Sequence, residues 1–334
     1  ALVLLAFCTF FATESAINPR HRWLAGGALA ACGNLAHGGV MFSLLALVPI
    51  VAFSLRRRWR PWLLAAALAQ VQVAATTPIL ADLVRQVGGN RVAAVAVVPP
   101  GADPHTFEPT PSVAQALSQT RLLFANGLGL EPYLPKLQAL LPQNARVVLL
   151  GEGQPDLICG EDHAEEDHGH GPCDPHLWLD PAYAVRYAER ILEALAALDP
   201  GGRDLYRANL ERFKKEVEAL DRAYRACGLK GTKVVVQHDA FRYFARRYGL
   251  EVVGVLSQGG AQEVGSRSFL ALLEKAKREG VRLVLAEPQF QGKALKTLAE
   301  AIGARVAVLY TDTLDARVRT YLDLLRHNLR ALCP

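Results

Sequence analysis

Three histidines of this chain lie where predicted β-strands end. His105 follows the apolar run Val92–Val98, His238 follows Val234–Gln237, and His176 lies in a stretch that begins Asp-Pro-His. Imidazole nitrogens are common metal ligands, and α/β sheets place their ligands at the carboxyl ends of parallel strands. These histidines are candidates for one metal site, although their spacing matches no short zinc-finger or His-Glu-x-x-His pattern.

Asp312 is a fourth candidate ligand, because it follows the last predicted strand, Val306–Tyr310. A carboxylate added to three imidazoles gives a donor set that suits four-coordinate Zn²⁺. Asp315 is close enough in sequence to compete for this role. A single histidine of this kind is more often a hydrogen-bonded residue near the core, so the hypothesis depends on the set as a whole.

A second group of histidines lies in a strongly acidic stretch. His163, His168 and His170 occur among five acidic residues, with almost no apolar side chain to anchor them in a core. We predict an exposed loop over residues 160–172 that binds metal, as short His-rich tracts do. Ordering such a loop loses conformational entropy, so its binding should be weaker. A solvated acidic loop with incidental histidines is the alternative.

The elements that must position these residues alternate between strand-like and helix-like segments from Val71 onward. Such alternation predicts parallel α/β sheets. In the middle of the chain, Pro181–Leu198 and Arg203–Arg225 have helical patterns, the second with apolar residues at spacings of three and four. The alternation then resumes and ends with a helix predicted over Arg317–Leu332. We predict an α/β fold of two lobes with parallel sheets, joined by a single long helix, with the metal site in the cleft between them.

Composition separates residues 1–69 from the rest of the chain. The 334 residues are 51% hydrophobic and carry a formal net charge of +5. Six arginines and one acidic residue lie in residues 1–69, which leaves equal numbers of basic and acidic residues afterwards. A neutral chain lacks the basic face that nucleic-acid binding needs, and the apolar content excludes disorder. Four parts are predicted: a leader over 1–69, an N-terminal lobe over 70–180, connecting helices over 181–230 and a C-terminal lobe over 231–334.

The leader is predicted to be an export signal. The cluster Arg56–Arg60 would be its basic region, followed by a short apolar run and a cleavage signal at Ala67-Leu68-Ala69, before Gln70. Residues 23–55 are uncharged and long enough to span a bilayer, but a span there conflicts with the arginines that follow it. Lipoprotein processing with an anchor at Cys32 is the other alternative. We expect a periplasmic protein.

Cysteine pairing is left open by the sequence. An exported protein can form disulfides, and Cys159 and Cys173 bracket a short loop that would allow them to pair. Cys227 and Cys333 could pair only if the fold brings them together. Free buried thiols are the alternative for all four residues.

The chain from about Val71 resembles the metal-binding solute-binding proteins of ABC transporters, of the zinc-uptake (ZnuA-like) type. The resemblance implies two α/β lobes bridged by a long helix, here Arg203–Arg225, with the metal between them. It also implies a membrane permease and its ATPase as partners. The stretches that carry it are Asp103–Thr110, Asp174–Pro181, His238–Phe241 and Ala286–Phe290.

By this resemblance His105, His176 and His238 are the imidazole ligands, and Asp312 falls where the family has its carboxylate. Members that prefer manganese tend to carry Glu at the position of His238, and imidazole in place of oxygen favours Zn²⁺ over the harder Mn²⁺. Glu287 is expected either to orient a ligand or to serve in a helix cap or salt bridge.

We therefore expect a monomeric, extracytoplasmic protein that delivers Zn²⁺ to an ABC permease. Manganese or another divalent metal is the alternative within the family. A zinc hydrolase is the alternative among enzymes, with three His ligands, an activated water and Asp312 as base. A surface adhesin anchored at Cys32 is the third class.

N-terminal sequencing of the exported protein should show Gln70 as the first residue, because cleavage follows the small-residue signal. A lipid-modified start at Cys32 would support the anchored alternative. Any other start would contradict the predicted leader.

Overall fold

The computed structural model describes residues 70–160, 173–257, 265–290 and 293–333. The predicted leader and the His-rich stretch with His163, His168 and His170 lie outside these residues. No described helix is both long enough and apolar enough to cross a membrane.

The first lobe is built on a four-stranded parallel sheet in the order β2-β1-β3-β4. Three helices connect its strands. The strands are β1 (Val71–Ala75), β2 (Val92–Ala96), β3 (Leu122–Ala125) and β4 (Arg146–Leu149), and the helices are α1 (Pro78–Gly88), α2 (Pro111–Leu117) and α3 (Leu134–Leu140).

The second lobe repeats this topology with a parallel sheet in the order β6-β5-β7-β8. In both lobes the strand order reverses next to the first strand, and ligands of α/β proteins bind at such a point. No repeat is visible in the sequence, so the shared topology is a finding of the structure. The elements are β5 (Lys233–Val236), α6 (Arg242–Tyr248), β6 (Glu251–Val255), α7 (Ser266–Arg278), β7 (Leu283–Ala286), α8 (Lys293–Ile302) and β8 (Arg305–Val308).

The long helix α5 (Arg203–Ala226) joins the lobes, and α4 (Pro181–Leu198) precedes it and packs against it. The 24 residues of α5 span about 36 Å at 1.5 Å per residue. Its apolar stripe is buried, and it packs against α1 and α4. The last helix, α9 (Tyr321–Leu332), returns from the second lobe to α5 and α1. The predicted fold class is confirmed; the exact domain boundaries stay a prediction.

Several predicted elements were too long at the ends that approach the cleft. β2 ends at Ala96 rather than Val98, and β5 ends at Val236 rather than Gln237. The last helix begins at Tyr321 rather than Arg317, because the Thr320 hydroxyl caps it by accepting the N–H of Asp323. Short apolar runs continue past the strands here because the connecting segments are buried as well.

The four described cysteines form two disulfides, and free thiols are excluded for them. Cys159 pairs with Cys173 across 14 residues, and Cys227 pairs with Cys333 across 106 residues. The second bond joins the end of α5 to the end of α9, so it closes most of the second lobe into one covalent loop.

Replacing both Cys227 and Cys333 by Ser should lower the free energy of unfolding by about 2–4 kcal/mol, because the unfolded chain regains the freedom of a long loop. Urea unfolding measures this change. The matched variant, with Cys159 and Cys173 replaced by Ser, opens a much shorter loop. Its loss of unfolding free energy should be about 1–2 kcal/mol smaller than that of the Cys227/Cys333 variant. Equal midpoints for the first variant and the unchanged protein would contradict the prediction.

Candidate metal centre

Three imidazoles and one carboxylate converge between the lobes. The ligand atoms of His105, His176, His238 and Asp312 all lie within 4.8 Å of one another. Nε2 of His176 is 3.3 Å from Nε2 of His105 and 3.3 Å from Nε2 of His238. The Asp312 oxygens lie 3.3–3.8 Å from the three Nε2 atoms. The structure thus brings together the four residues predicted from the sequence.

Each lobe supplies two of these side chains from different kinds of segment. His238 follows β5 almost directly, and Asp312 follows β8 after a short buried segment. His105 lies in the long connection between β2 and α2, and His176 directly precedes the short 3₁₀ turn that leads into α4. Of the four candidate ligands, only the two from the second lobe therefore lie shortly after the end of a strand. His105 lies in a long connection, and His176 lies before a 3₁₀ turn.

The two Asp-Pro-His sequences fold into the same local turn. Oδ1 of Asp103 accepts a hydrogen bond from the backbone N–H of His105 at 2.9 Å. Oδ1 of Asp174 accepts one from the backbone N–H of His176, also at 2.9 Å. Aspartate commonly makes such a bond to the backbone two residues on, and the proline between restricts the turn further. The motif thus holds the backbone of each histidine in place.

Carboxylates also hold the outer nitrogens of two ligands. Oδ1 of Asp174 lies 2.8 Å from Nδ1 of His176, and Oε1 of Glu287 lies 2.7 Å from Nδ1 of His238. The carboxylate accepts a hydrogen bond from the N–H at Nδ1, which leaves the Nε2 lone pair for a metal. Of the two roles considered for Glu287, its contact with His238 corresponds to orienting a ligand.

Two further residues, which sequence reasoning missed, hold Glu287. The hydroxyl of Thr311 donates to Oε2 of Glu287, and Nε2 of Gln289 donates to the same oxygen at 2.8 Å. Gln289 Nε2 also lies 3.4 Å from Oδ2 of Asp312. Neither residue type suggests a role at a metal site. The only available signals in the sequence were that Gln289 lies within the family-like stretch Ala286–Phe290 and that Thr311 directly precedes Asp312.

The electrostatics of the centre favour an ionised carboxylate. Burial acts to raise the pKa of Asp312, but the neighbouring imidazoles overcome this effect and lower it. Burial lowers the pKa of His176 well below 6.5. Burial acts in the same direction on His238, but the carboxylates of Glu287 and Asp312 outweigh it and raise the pKa of His238 to about 10. Metal binding needs neutral imidazoles, so a cation must displace a proton from this group.

Asp315 does not reach the centre. Its carboxylate accepts the Tyr310 hydroxyl at 2.8 Å and the backbone N–H groups of Arg317 and Val318 at 2.7 and 2.9 Å. By contrast, Oδ1 of Asp312 accepts no hydrogen bond from any described residue and lies 3.7 Å from Nε2 of His176. A buried carboxylate oxygen with this surrounding suits a cation, so the geometry favours Asp312 over Asp315 as the candidate ligand.

Comparison with known proteins agrees with this arrangement. The family model for the zinc-uptake complex component A, periplasmic, matches residues 73–333. The chain belongs to this family. The crystal structure of ZnuA superposes with a TM-score of 0.67 at 31% identity, over 79% of this chain and 99% of that one.

The known proteins that are similar to this chain are named for two different metals. The manganese-binding lipoprotein MntA of Halalkalibacterium halodurans is 28% identical over 267 residues, which cover 78% of this chain and 86% of that protein. The high-affinity zinc uptake system protein ZnuA of Bacillus subtilis is 28% identical over 251 residues, covering 71% and 78%. The chain is a divalent-metal-binding component of an ABC transporter, and the family alone does not specify the metal.

Replacing Asp312 by Asn should weaken metal binding by at least about 10-fold, because losing a ligand should cost no less than losing an outer-shell partner. Competition with a chromophoric chelator measures the change. Asp315→Asn makes the same chemical change three residues away and should leave the affinity unaltered. The opposite order of effects would show that Asp315 is the ligand.

Proposed function

We propose that this protein captures Zn²⁺ outside the cytoplasm and delivers it to the permease of an ABC transporter. The proposed ligands are His105 and His176 from the first lobe and His238 and Asp312 from the second. The observation that carries the choice of metal is His238, a buried residue that adds a third imidazole where an oxygen ligand would favour a harder ion. Family membership supports the transport role.

The distances between ligand atoms support a tetrahedral ion. A tetrahedron with metal–ligand bonds of about 2.0–2.1 Å has edges of about 3.3–3.4 Å. The closest separations are 3.3 Å, from Nε2 of His176 to Nε2 of His105 and of His238, and from Nε2 of His238 to Asp312. Affinity for nitrogen donors is much higher for Zn²⁺ than for Mn²⁺. Manganese stays the alternative, because relatives such as MntA are named for it.

A zinc hydrolase is a weaker alternative. A catalytic zinc keeps a coordination position open for water and needs a general base beside it. The carboxylate of Asp312 lies 3.3 Å from Nε2 of His238, close enough to complete the set of four protein donors. A filled shell leaves no position for a reactive water, so the geometry favours capture and release.

Export, partners and the His-rich loop belong to the same proposal. We place the protein in the periplasm as a monomer that meets a permease and its ATPase, as the family's transporter role supports. Lipid anchoring at Cys32 is the alternative, and MntA is named a lipoprotein. His163, His168 and His170 are proposed to bind further zinc weakly, and such a store of zinc would suit capture.

Calorimetric titration of the purified protein should show one tight Zn²⁺ site and weaker Mn²⁺ binding there. His105→Ala, His176→Ala and His238→Ala should each weaken the tight site strongly, because each removes a ligand. His238→Glu should keep four donors but reduce the preference for Zn²⁺ over Mn²⁺. Deleting residues 161–172 should leave the tight site intact and remove only weaker binding.

Tighter binding of Mn²⁺ than of Zn²⁺ by the unchanged protein would overturn the choice of metal. Wild-type affinity in all three alanine variants would overturn the ligand assignment. Hydrolytic activity that requires the bound zinc would favour the enzyme alternative.

A further inference from the structure

Asp312 belongs to the second lobe by sequence, but the first lobe holds the main chain beside it. The indole N–H of Trp178 donates to the backbone carbonyl of Thr311 at 2.7 Å, directly before Asp312. Trp178 lies just after His176, in the turn that leads into α4. One hydrogen bond therefore connects the segment of a first-lobe ligand with that of a second-lobe ligand.

The other side of Asp312 is held in the same way. The backbone N–H of Gly101 donates to the carbonyl of Leu314 at 3.0 Å and to the hydroxyl of Thr313 at 2.8 Å. Gly101 lies in the connection between β2 and α2 that also carries His105. The first lobe thus fixes the main chain on both sides of the carboxylate.

Trp178 is itself rigidly placed. Only 2% of its surface is exposed, and its ring lies edge-on to the ring of His176 with 5.5 Å between the centroids. Its backbone carbonyl accepts the hydroxyl of Tyr321 at 2.7 Å, at the start of α9. A side chain fixed at both its ring and its backbone can hold the Thr311 carbonyl in one position.

Thr311 connects this bond to the rest of the centre. Its hydroxyl donates to Glu287, which in turn holds Nδ1 of His238. The carbonyl of Thr311 is thus fixed by the first lobe, whereas its side chain is fixed by the second. Any shift of Thr311 would move Asp312, the next residue, relative to all three imidazoles.

We propose that Trp178 is a positioning residue, which sets the Asp312 carboxylate at coordination distance by holding the Thr311 carbonyl across the cleft. Trp178 does not touch the ion. The inference rests on the proposed function, in which Asp312 is a ligand. Sites of this kind must be held within about 0.5 Å of their working geometry. Loss of the bond should therefore replace the carboxylate by water in part of the molecules.

Trp178→Phe removes the N–H but keeps most of the apolar ring. We expect a loss of Zn²⁺ affinity of about 10-fold, comparable with other outer-shell partners. With Co²⁺ as a spectroscopic probe, the visible absorption of the bound ion should change as water replaces the carboxylate. Tyr224→Phe is the matched control, since it removes a buried 2.6 Å hydrogen bond to the carbonyl of Leu325. It should lower stability without changing affinity or spectrum.

A double-mutant cycle tests whether the effect passes through Asp312. In an Asp312→Asn background, Trp178→Phe should change the remaining affinity little. In a His105→Ala background, the same substitution should still weaken binding. Equal effects in both backgrounds would show that Trp178 acts on the fold in general and would overturn the proposal.

Should Trp178→Phe fail to fold, 3-benzothienylalanine in place of Trp178 keeps the ring shape and lacks only the N–H. A wild-type affinity and Co²⁺ spectrum with either replacement would overturn the inference about Trp178 alone. Absence of tight Zn²⁺ and Co²⁺ binding by the unchanged protein would instead overturn the proposed function, so the two failures are distinguishable.

Discussion

The structure depends on keeping an ionised carboxylate buried among three imidazoles. Asp312 is fully buried, and an isolated charge there would cost several kcal/mol. The imidazoles offset this cost in part, and a divalent cation bound by the same atoms would offset it more fully. Much of the surrounding structure serves to hold the ligand atoms of these four side chains within 4.8 Å of one another. The repeated turns, the outer carboxylates and the bonds across the cleft all contribute.

Ion pairs and a hydrogen bond away from the metal centre connect α6 of the second lobe to α4, α5 and the first lobe. Arg247 of α6 forms ion pairs with Asp180 at the start of α4, at 3.0 Å, and with Asp221 of α5, at 2.7 Å. The hydroxyl of Tyr243, also on α6, donates to the backbone carbonyl of Asp174 at 3.0 Å. Asp174 orients His176, so packing of the second lobe acts directly on a ligand segment of the first. The second lobe thus contacts the segment of the first lobe that carries His176.

The sequence predicted the fold class and the four central residues, because each depends on local signals. Alternating apolar patterns indicated the parallel sheets, and His238 followed a strand closely enough for its position to be inferred. Spacing could not distinguish Asp312 from Asp315, because the distinction depends on which carboxylate accepts hydrogen bonds from the backbone N–H groups of Arg317 and Val318. In the structure that carboxylate is Asp315. The roles of Thr311 and Trp178 depend on contacts between distant segments, 133 residues apart, which no local pattern contains.

The two lobes share a topology but supply ligands differently. In the second lobe, His238 lies just after the end of β5 and Glu287 just after the end of β7. His238 is a proposed ligand, and Glu287 holds its Nδ1. In the first lobe, Thr76 directly follows the equivalent strand β1, and Asn126 directly follows β3, with Glu131 a few residues later. Glu131 accepts the Thr76 hydroxyl at 2.6 Å and the backbone N–H of Asn126 at 2.8 Å.

This first-lobe network acts on the centre through the backbone. The side-chain amide of Asn126 donates to the carbonyl of Pro175 at 3.0 Å, within the turn that places His176. The Tyr187 hydroxyl from α4 donates to the other end of the same amide at 2.6 Å, which fixes its orientation. The place where strand order reverses therefore serves the metal centre in both lobes. In one lobe it carries a ligand, and in the other it holds the turn from which a ligand projects.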